Sequence, residues 1–219
     1  GSDLCFPHHM NEVLQCEAHT PRTQWPHYFL HTGHLYTDGV KMSKSLKNFV
    51  SIKEYLSRST ADNFRMFCLM HHYSSVVNYG EGHIADAYAL QKSFEDFLRK
   101  CRALSVTTAQ PPASRLPSTQ ASTYQSFLSL KAGVLGALSN DFNTPAALSY
   151  LKEMMRLSYR TSSQVGADAA TPLILKAADF IASFLHNCGM SSSVSARVIE
   201  TPIASHTEIS GELADVMVN

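Results

Sequence analysis

Residues 31–49 read HTGHLYTDGVKMSKSLKNF, and two chemistry-bearing groups stand almost side by side in them. One is His31-Thr32-Gly33-His34 and the other is Lys41-Met42-Ser43-Lys44-Ser45. The apolar, aromatic run ahead of the lysines is strand-like, and Asp38-Gly39 is a tight-turn pair. Lys41 and Lys44 bracket Met42 and Ser43, and Lys47 with a polar turn at Asn48 follows. Lysine is a compact charge on a long flexible stem. Ammonium groups that meet phosphate oxygens only as negative charge builds on them lower a barrier without over-stabilising the ground state. The alternative reading of such a pentamer is a solvated basic loop. Met-Ser between the lysines and Ser-Leu-Lys-Asn-Phe after Lys44 make this instance more specific than basic composition alone.

Upstream of the stretch, DLCFPHHMNE opens a short helical piece near Pro7. His8 and Glu12 are four residues apart and so share one helix face. An imidazole and a carboxylate there supply two zinc ligands, or simply pair at a helix start. Cys16 lies another turn along that face, too far on a straight helix to share one tetrahedral ion with His8. Trp25, the single tryptophan, is an aromatic wall or core.

Downstream, Ser51 followed by Glu54 fits a capping box that starts a helix at Ile52. Thr60 caps a further helix with Phe64, Phe67, Cys68 and His71 at helical spacing. His71-His72-Tyr73 at its end reads equally as helix-end packing or as phosphate contact. From His83 to Leu104 an apolar stripe of Ile84, Ala87, Tyr88, Phe94, Leu98 and Cys101, interrupted by Gln91, predicts a long helix. A Pro/Ser/Thr-rich connector spans 105–122. Helices are then expected over Tyr124 to Leu138, after a capping Thr144 with Pro145 at the first helical position, and after Thr171-Pro172, ending near Gly189. Asp141 and Asn143 serve the turn and cap in this reading.

The whole chain has 219 residues, 44% hydrophobic, with formal net charge zero. A zero balance gives no global field for nucleic acid, so any such contact must be a local patch. Its apolar runs are too short to span a bilayer, and no signal pattern is visible at the N-terminus. Five irregularly spaced cysteines read as reduced thiols of a cytoplasmic compartment.

Together these segments resemble the cysteinyl-tRNA synthetases, class I aminoacyl-tRNA synthetases, from Gly1 to the helix after Pro145. GSDLCFPHHMNE is similar to that family's Gly-x-Asp-Leu-x-Phe-Pro-His-His-x-Asn-Glu segment, and WPHYFLHTGHL to its Trp-x-x-x-Phe-x-His-x-Gly strand. KMSKSLKNF resembles its mobile ATP loop, with Lys47-Asn48 as in eukaryotic members where bacterial ones carry Gly-Asn. DFNTP, residues 141–145, is similar to its helical-domain landmark.

The resemblance implies a ligase that joins cysteine to ATP as cysteinyl-adenylate, with Mg2+, and passes the cysteinyl group to tRNA(Cys). It implies Lys44 and Lys41 as catalytic, ATP-contacting lysines, with Ser43 and Met42 shaping the loop. It implies His8 and Glu12 as two ligands of a Zn2+ that binds the substrate thiolate, two cysteines upstream completing the set. A soft thiolate bonds zinc far better than serine's hydroxyl, which makes an editing site unnecessary. Trp25 and His31 are assigned to the substrate pocket. His31–His34 cannot be the family's first-strand histidine motif, because it lies only a few residues before the lysine loop. It lines the pocket floor or is structural.

The expected fold is therefore an α/β remnant followed by an all-α part. Residues 1–40 would be the C-terminal piece of a Rossmann-type catalytic domain, and 41–80 the lysine loop with connector helices. Residues 81–189 would form an antiparallel helical bundle, and 190–219 a tail or linker. Two other readings are a related ligase joining cysteine to an amino sugar and a non-catalytic helical binding module. With the first strand and upstream ligands outside the 219 residues, zinc is expected to be weakly held or absent. The isolated chain is expected to show no cysteine-dependent ATP–pyrophosphate exchange; turnover in that assay contradicts the reading.

Overall fold

The computed structural model describes residues 1–20, 24–37, 39–43, 45–107 and 121–190. Asp38, Lys44, the centre of the predicted connector and the tail from Ser191 therefore lie outside the described residues. A turn of 3-10 helix at Ser2–Leu4 leads through a kink at Phe6, which is extended (φ −133°, ψ 135°), into α1, Met10–His19. β1 (Leu35–Thr37) pairs antiparallel with β2 (Val40–Lys41), Tyr36 opposite Lys41. It also pairs parallel with β3 (Val77–Tyr79), Leu35 opposite Val77, so β1 is central in a three-stranded sheet. The strand-like run thus begins at Leu35, and His31–His34 precede it without strand pairing.

Between β2 and β3 lie α2 (Ile52–Arg58) and α3 (Ala61–Leu69). Their starts follow the side-chain chemistry expected of them. Ser51 Oγ accepts the Glu54 N–H at 3.1 Å, and Thr60 Oγ1 accepts the Asn63 N–H at 3.1 Å. Each cap satisfies a donor that the first helical turn leaves without a partner.

The second half is α4 (Glu81–Thr107), α5 (Ala121–Ser139), α6 (Thr144–Val165) and α7 (Ala167–Asn187). α5 packs on α6, α6 on α7, α7 on α4 and α4 on α3. Their shared core holds Met66, Phe67, Phe94, Phe97, Leu151, Met154, Ile181 and Leu185, all fully buried. Burying a side chain of this size stabilises by roughly 1.5–3 kcal/mol. No described residue before Tyr55 is fully buried, so the described residues of 1–54 form a layer without a core of its own, held on the helical body by hydrogen bonds and by Leu35, which packs against its core.

Several sequence boundaries move. The connector expected over 105–122 is helical at both ends, to Thr107 and from Ala121. Tyr88, assigned to the buried stripe of α4, is 57% exposed; Ala87 and Gln91 are buried beside it. The cap before α6 is Asn143, whose Oδ1 accepts the Ala146 N–H at 3.1 Å, and Thr144 is already helical. Asp141 and Phe142 turn the chain into that cap with φ of 55° and 52°. α7 starts at Ala167, not after Thr171, and carries Pro172 inside it. Burial of Ala170 and Thr171 rewards helix there, and Thr171 Oγ1 donates to the Ala167 carbonyl at 2.8 Å. Met190, placed in the tail by its sequence, is fully buried in the core.

The layer of residues 1–54 meets the helical body at residues 71–75. The Gly33 N–H donates to the Tyr73 carbonyl at 2.9 Å, and the Tyr73 hydroxyl donates to Asp141 Oδ1 at 2.7 Å. A Cβ on Gly33 would sit 1.9 Å from the Ser75 carbonyl oxygen. Backbone meets backbone there, and no rotamer change relieves the clash. Gly33→Ala is therefore expected to destabilise the chain by about 2 kcal/mol or more. Urea unfolding measures it, and a loss within experimental error contradicts the close approach.

Candidate functional site

The lysine loop leaves the β2 end of the hairpin, and one side chain braces it. Asn48 Oδ1 accepts the Ser43 N–H at 2.9 Å, while Asn48 Nδ2 donates to the Lys41 carbonyl at 3.2 Å. An asparagine side chain that reaches from the exit of a turn to an N–H and a carbonyl on its entry side substitutes for a backbone pair. Met42 N–H donates to the Leu35 carbonyl at 2.8 Å, extending the strand pairing to the loop's first residue. Inside the loop, Ser43 Oγ lies 3.2 Å from Ser45 Oγ and accepts the Leu46 N–H at 3.3 Å. Lys47 closes the turn with φ of 54°. Lys44, the second lysine of the pair, lies outside the described residues.

Lys41 has a specific partner. Its Nζ donates to Asp3 Oδ2 at 2.8 Å, and His34 Nε2 is 2.7 Å from Asp3 Oδ1. The bond from Lys41, with that from His34 second, holds the Asp3 carboxyl well below the usual carboxylate range. The side chains of Lys41 and Asp3 are 43% and 48% exposed, so this is a surface network.

The histidines of the opening stretch separate. His34 joins the Asp3 network. His31 Nε2 sits 2.9 Å from His9 Nδ1, and Phe29 stacks against both rings. Trp25 is half-buried, with its backbone N–H donating to Glu17 Oε1 at 3.1 Å. A cavity of about 950 Å³ opens beside the loop, lined by Leu35, Met42, Val50, Tyr55 and Phe67 among others. Gly33 and His34 line it; Trp25 and His31 do not. The structure therefore brings Met42 to this cavity and leaves the two assigned pocket residues elsewhere in the N-terminal layer.

His8 and Glu12 are both exposed. Among the described residues no three His, Cys, Asp or Glu side chains gather as a metal-holding group. Two donors are half of a tetrahedral zinc set, so the described residues alone do not fit a closed zinc site. All five cysteines are free, and burial pushes the Cys101 thiol up to about 12 and Cys188 to about 11.

Of the histidines ending α3, His71 packs. Its Nδ1 bonds the Phe67 carbonyl at 2.8 Å. Asn143 is a cap as expected, but Asp141 does more than turn the chain, because its carboxylate receives Tyr73 and lies 3.7 Å from His72 Nε2. Sequence reasoning missed Asp3; it placed Asn48 in a polar turn and Tyr73 at the end of α3 without finding the bonds that each makes. Asn48 was detectable from its turn chemistry beside Lys47. Asp3 was not, since its partners stand 31 and 38 residues away.

No helix among the described residues is long and apolar enough to cross a membrane. Residues 1–89 match the model of the class I (C) tRNA synthetase catalytic domain. A probable mitochondrial cysteine–tRNA ligase of Xenopus tropicalis is 38% identical over 174 residues, covering 78% of this chain and 30% of that protein. The cytoplasmic cysteine–tRNA ligase of Dictyostelium discoideum is 46% identical over 102 residues, 47% of this chain and 16% of the relative. That of Gallus gallus is 35% identical over 169 residues, 76% of this chain and 22% of the relative. The chain thus spans less than a third of the length of each of these three relatives, whose names place them in the cytoplasm or the mitochondrion. Residues 1–89, which hold the lysine loop and the DLCFPHHMNE segment, thus belong to the class I (C) tRNA synthetase catalytic-domain family, and the chain is similar to cysteine–tRNA ligases.

Proposed function

We propose that this chain is part of a cysteine–tRNA ligase, which activates cysteine with ATP to cysteinyl-adenylate and transfers it to tRNA(Cys). The observation that carries the reading is the braced loop from Lys41 to Asn48, in a chain 38% identical to a ligase of that name. Lys44 and Lys41 act as the catalytic, ATP-binding lysines, and Ser43 and Met42 give the loop its shape. The loop's backbone is fixed at its base by Asn48, while the ammonium groups sit on long flexible stems. That combination suits charge delivered to a departing pyrophosphate late in the reaction.

In the same reading residues 1–40 are the end of a Rossmann-type catalytic domain and 41–80 the KMSKS loop with its connector helices. Residues 81–189 are an antiparallel helical bundle leading towards the tRNA, and 190–219 a tail. ATP enters with Mg2+. His8, just before α1, and Glu12, in its first turn, are both exposed and are two donors towards a zinc ion, and the remaining ligands come from outside the described residues. Trp25 and His31 belong to the amino-acid pocket, and the enzyme works in the cytoplasm.

The test is made on the full-length ligase. Lys44→Ala is expected to lower kcat for cysteine-dependent ATP–pyrophosphate exchange by about 100-fold or more, with KM for ATP changed far less. Unchanged kcat removes Lys44 from the chemistry, and failure of the full-length protein to charge tRNA(Cys) overturns the assignment.

A further inference from the structure

The Asp3–Lys41 contact joins two segments 38 residues apart, and both ends are fixed. Asp3 rides on a turn held by Ser2 N–H donating to the Thr32 carbonyl at 2.8 Å and Leu4 N–H to the Gly1 carbonyl at 3.0 Å. Both carboxylate oxygens are engaged, one by His34 and one by Lys41. At the other end, Lys41 sits in β2 opposite Tyr36, and its carbonyl is held by Asn48. A lysine on a flexible stem would otherwise wander through solvent. Here its ammonium is held by a carboxylate, an anion of lower charge than a phosphate chain.

We propose that Asp3 is a positioning residue for the loop: between turnovers its carboxylate holds the Lys41 ammonium, in competition with pyrophosphate oxygens for the same group. The inference rests on the reading in which Lys41 meets pyrophosphate. An ammonium has three donors and Asp3 uses one, so an incoming polyanion can share the group before taking it over. The consequence is weak ground-state binding. Lys41 is partly neutralised until the charge on the departing group exceeds that of the carboxylate, which is the condition for raising kcat rather than merely lowering KM. His34 matters as the second donor, because it fixes the carboxylate plane that faces Lys41.

The experiment titrates inorganic pyrophosphate into the full-length ligase by calorimetry, at low and high salt. Asp3→Asn is nearly isosteric and removes the charge. It is expected to tighten pyrophosphate binding by roughly threefold to tenfold at low salt, with the gain shrinking as salt is raised. Asp3→Glu restores the carboxylate and is expected to stay close to the wild type. In the Lys41→Ala background the Asp3→Asn gain disappears. A purely structural role for Asp3 predicts the opposite sign, since disordering the turn would weaken binding. Circular dichroism melts check that each variant folds.

Unchanged or weaker binding in Asp3→Asn overturns the proposal, as does a gain that persists without Lys41, which would be a net-charge effect. The underlying reading fails separately, when Lys41→Ala alone leaves pyrophosphate affinity unchanged. Absence of pyrophosphate binding in every form overturns both.

Discussion

Tyr73 is bonded at both ends to different parts of the molecule. Its carbonyl accepts the Gly33 N–H and its hydroxyl donates to Asp141. On one side of it lies the layer that carries the histidines, the hairpin and the lysine loop. On the other lies the helical body with its buried phenylalanines and leucines. The pairing of β1 with β3 depends on this junction, because Gly33 enters it two residues before β1, and β3 begins four residues after Tyr73. The carboxylate of Asp141 also pushes the Tyr73 hydroxyl's pKa up, so the donor stays protonated across the ordinary pH range.

The two parts are stabilised differently. The helical body buries large apolar side chains from α3 to α7, and such burial is non-directional and cooperative. No described residue of 1–54 is fully buried; Leu35 packs against the helical core, and hydrogen bonds of fixed direction position the rest: Ser2 to Thr32, Gly33 to Tyr73, Met42 to Leu35, Asn48 to Ser43 and Lys41. Each such bond contributes about 1 kcal/mol net, and a segment with so little apolar burial is drawn from the low-stability end of a protein.

The elements most legible in the sequence were those whose cause is local. Ser51 and Thr60 sit one residue before their helices and bond the third residue on, which four consecutive letters reveal. Helical spacing likewise located α3 and most of α4. The misses have non-local causes. Thr171-Pro172 looks like a helix start, but the buried Ala170 draws the helix five residues further back, to Ala167, a tertiary gain that local propensity does not contain. Thr144 lost the cap to Asn143 because the left-handed pair Asp141-Phe142 delivers Asn143 into position. In the site, the lysine motif and Met42's neighbourhood were readable, whereas the Asp3–His34–Lys41 network is a product of folding. Its three members come from the N-terminal turn, the lead-in to β1, and β2.

Lys47 shows the same division within the loop itself. It adopts φ of 54°, the region that glycine enters freely and that costs another residue about 1 kcal/mol. Lys47 is exposed, so side-chain packing does not offset that cost. The turn it closes is already braced by the neighbouring Asn48, which is why the strain is tolerated. A lysine kept in glycine's conformation, three residues after Lys44 and six after Lys41, adds a third ammonium to the same short loop. Its charge, not its shape, is what the position gains. The loop's backbone is therefore set by an asparagine and a strained turn, while its lysines supply the positive charge.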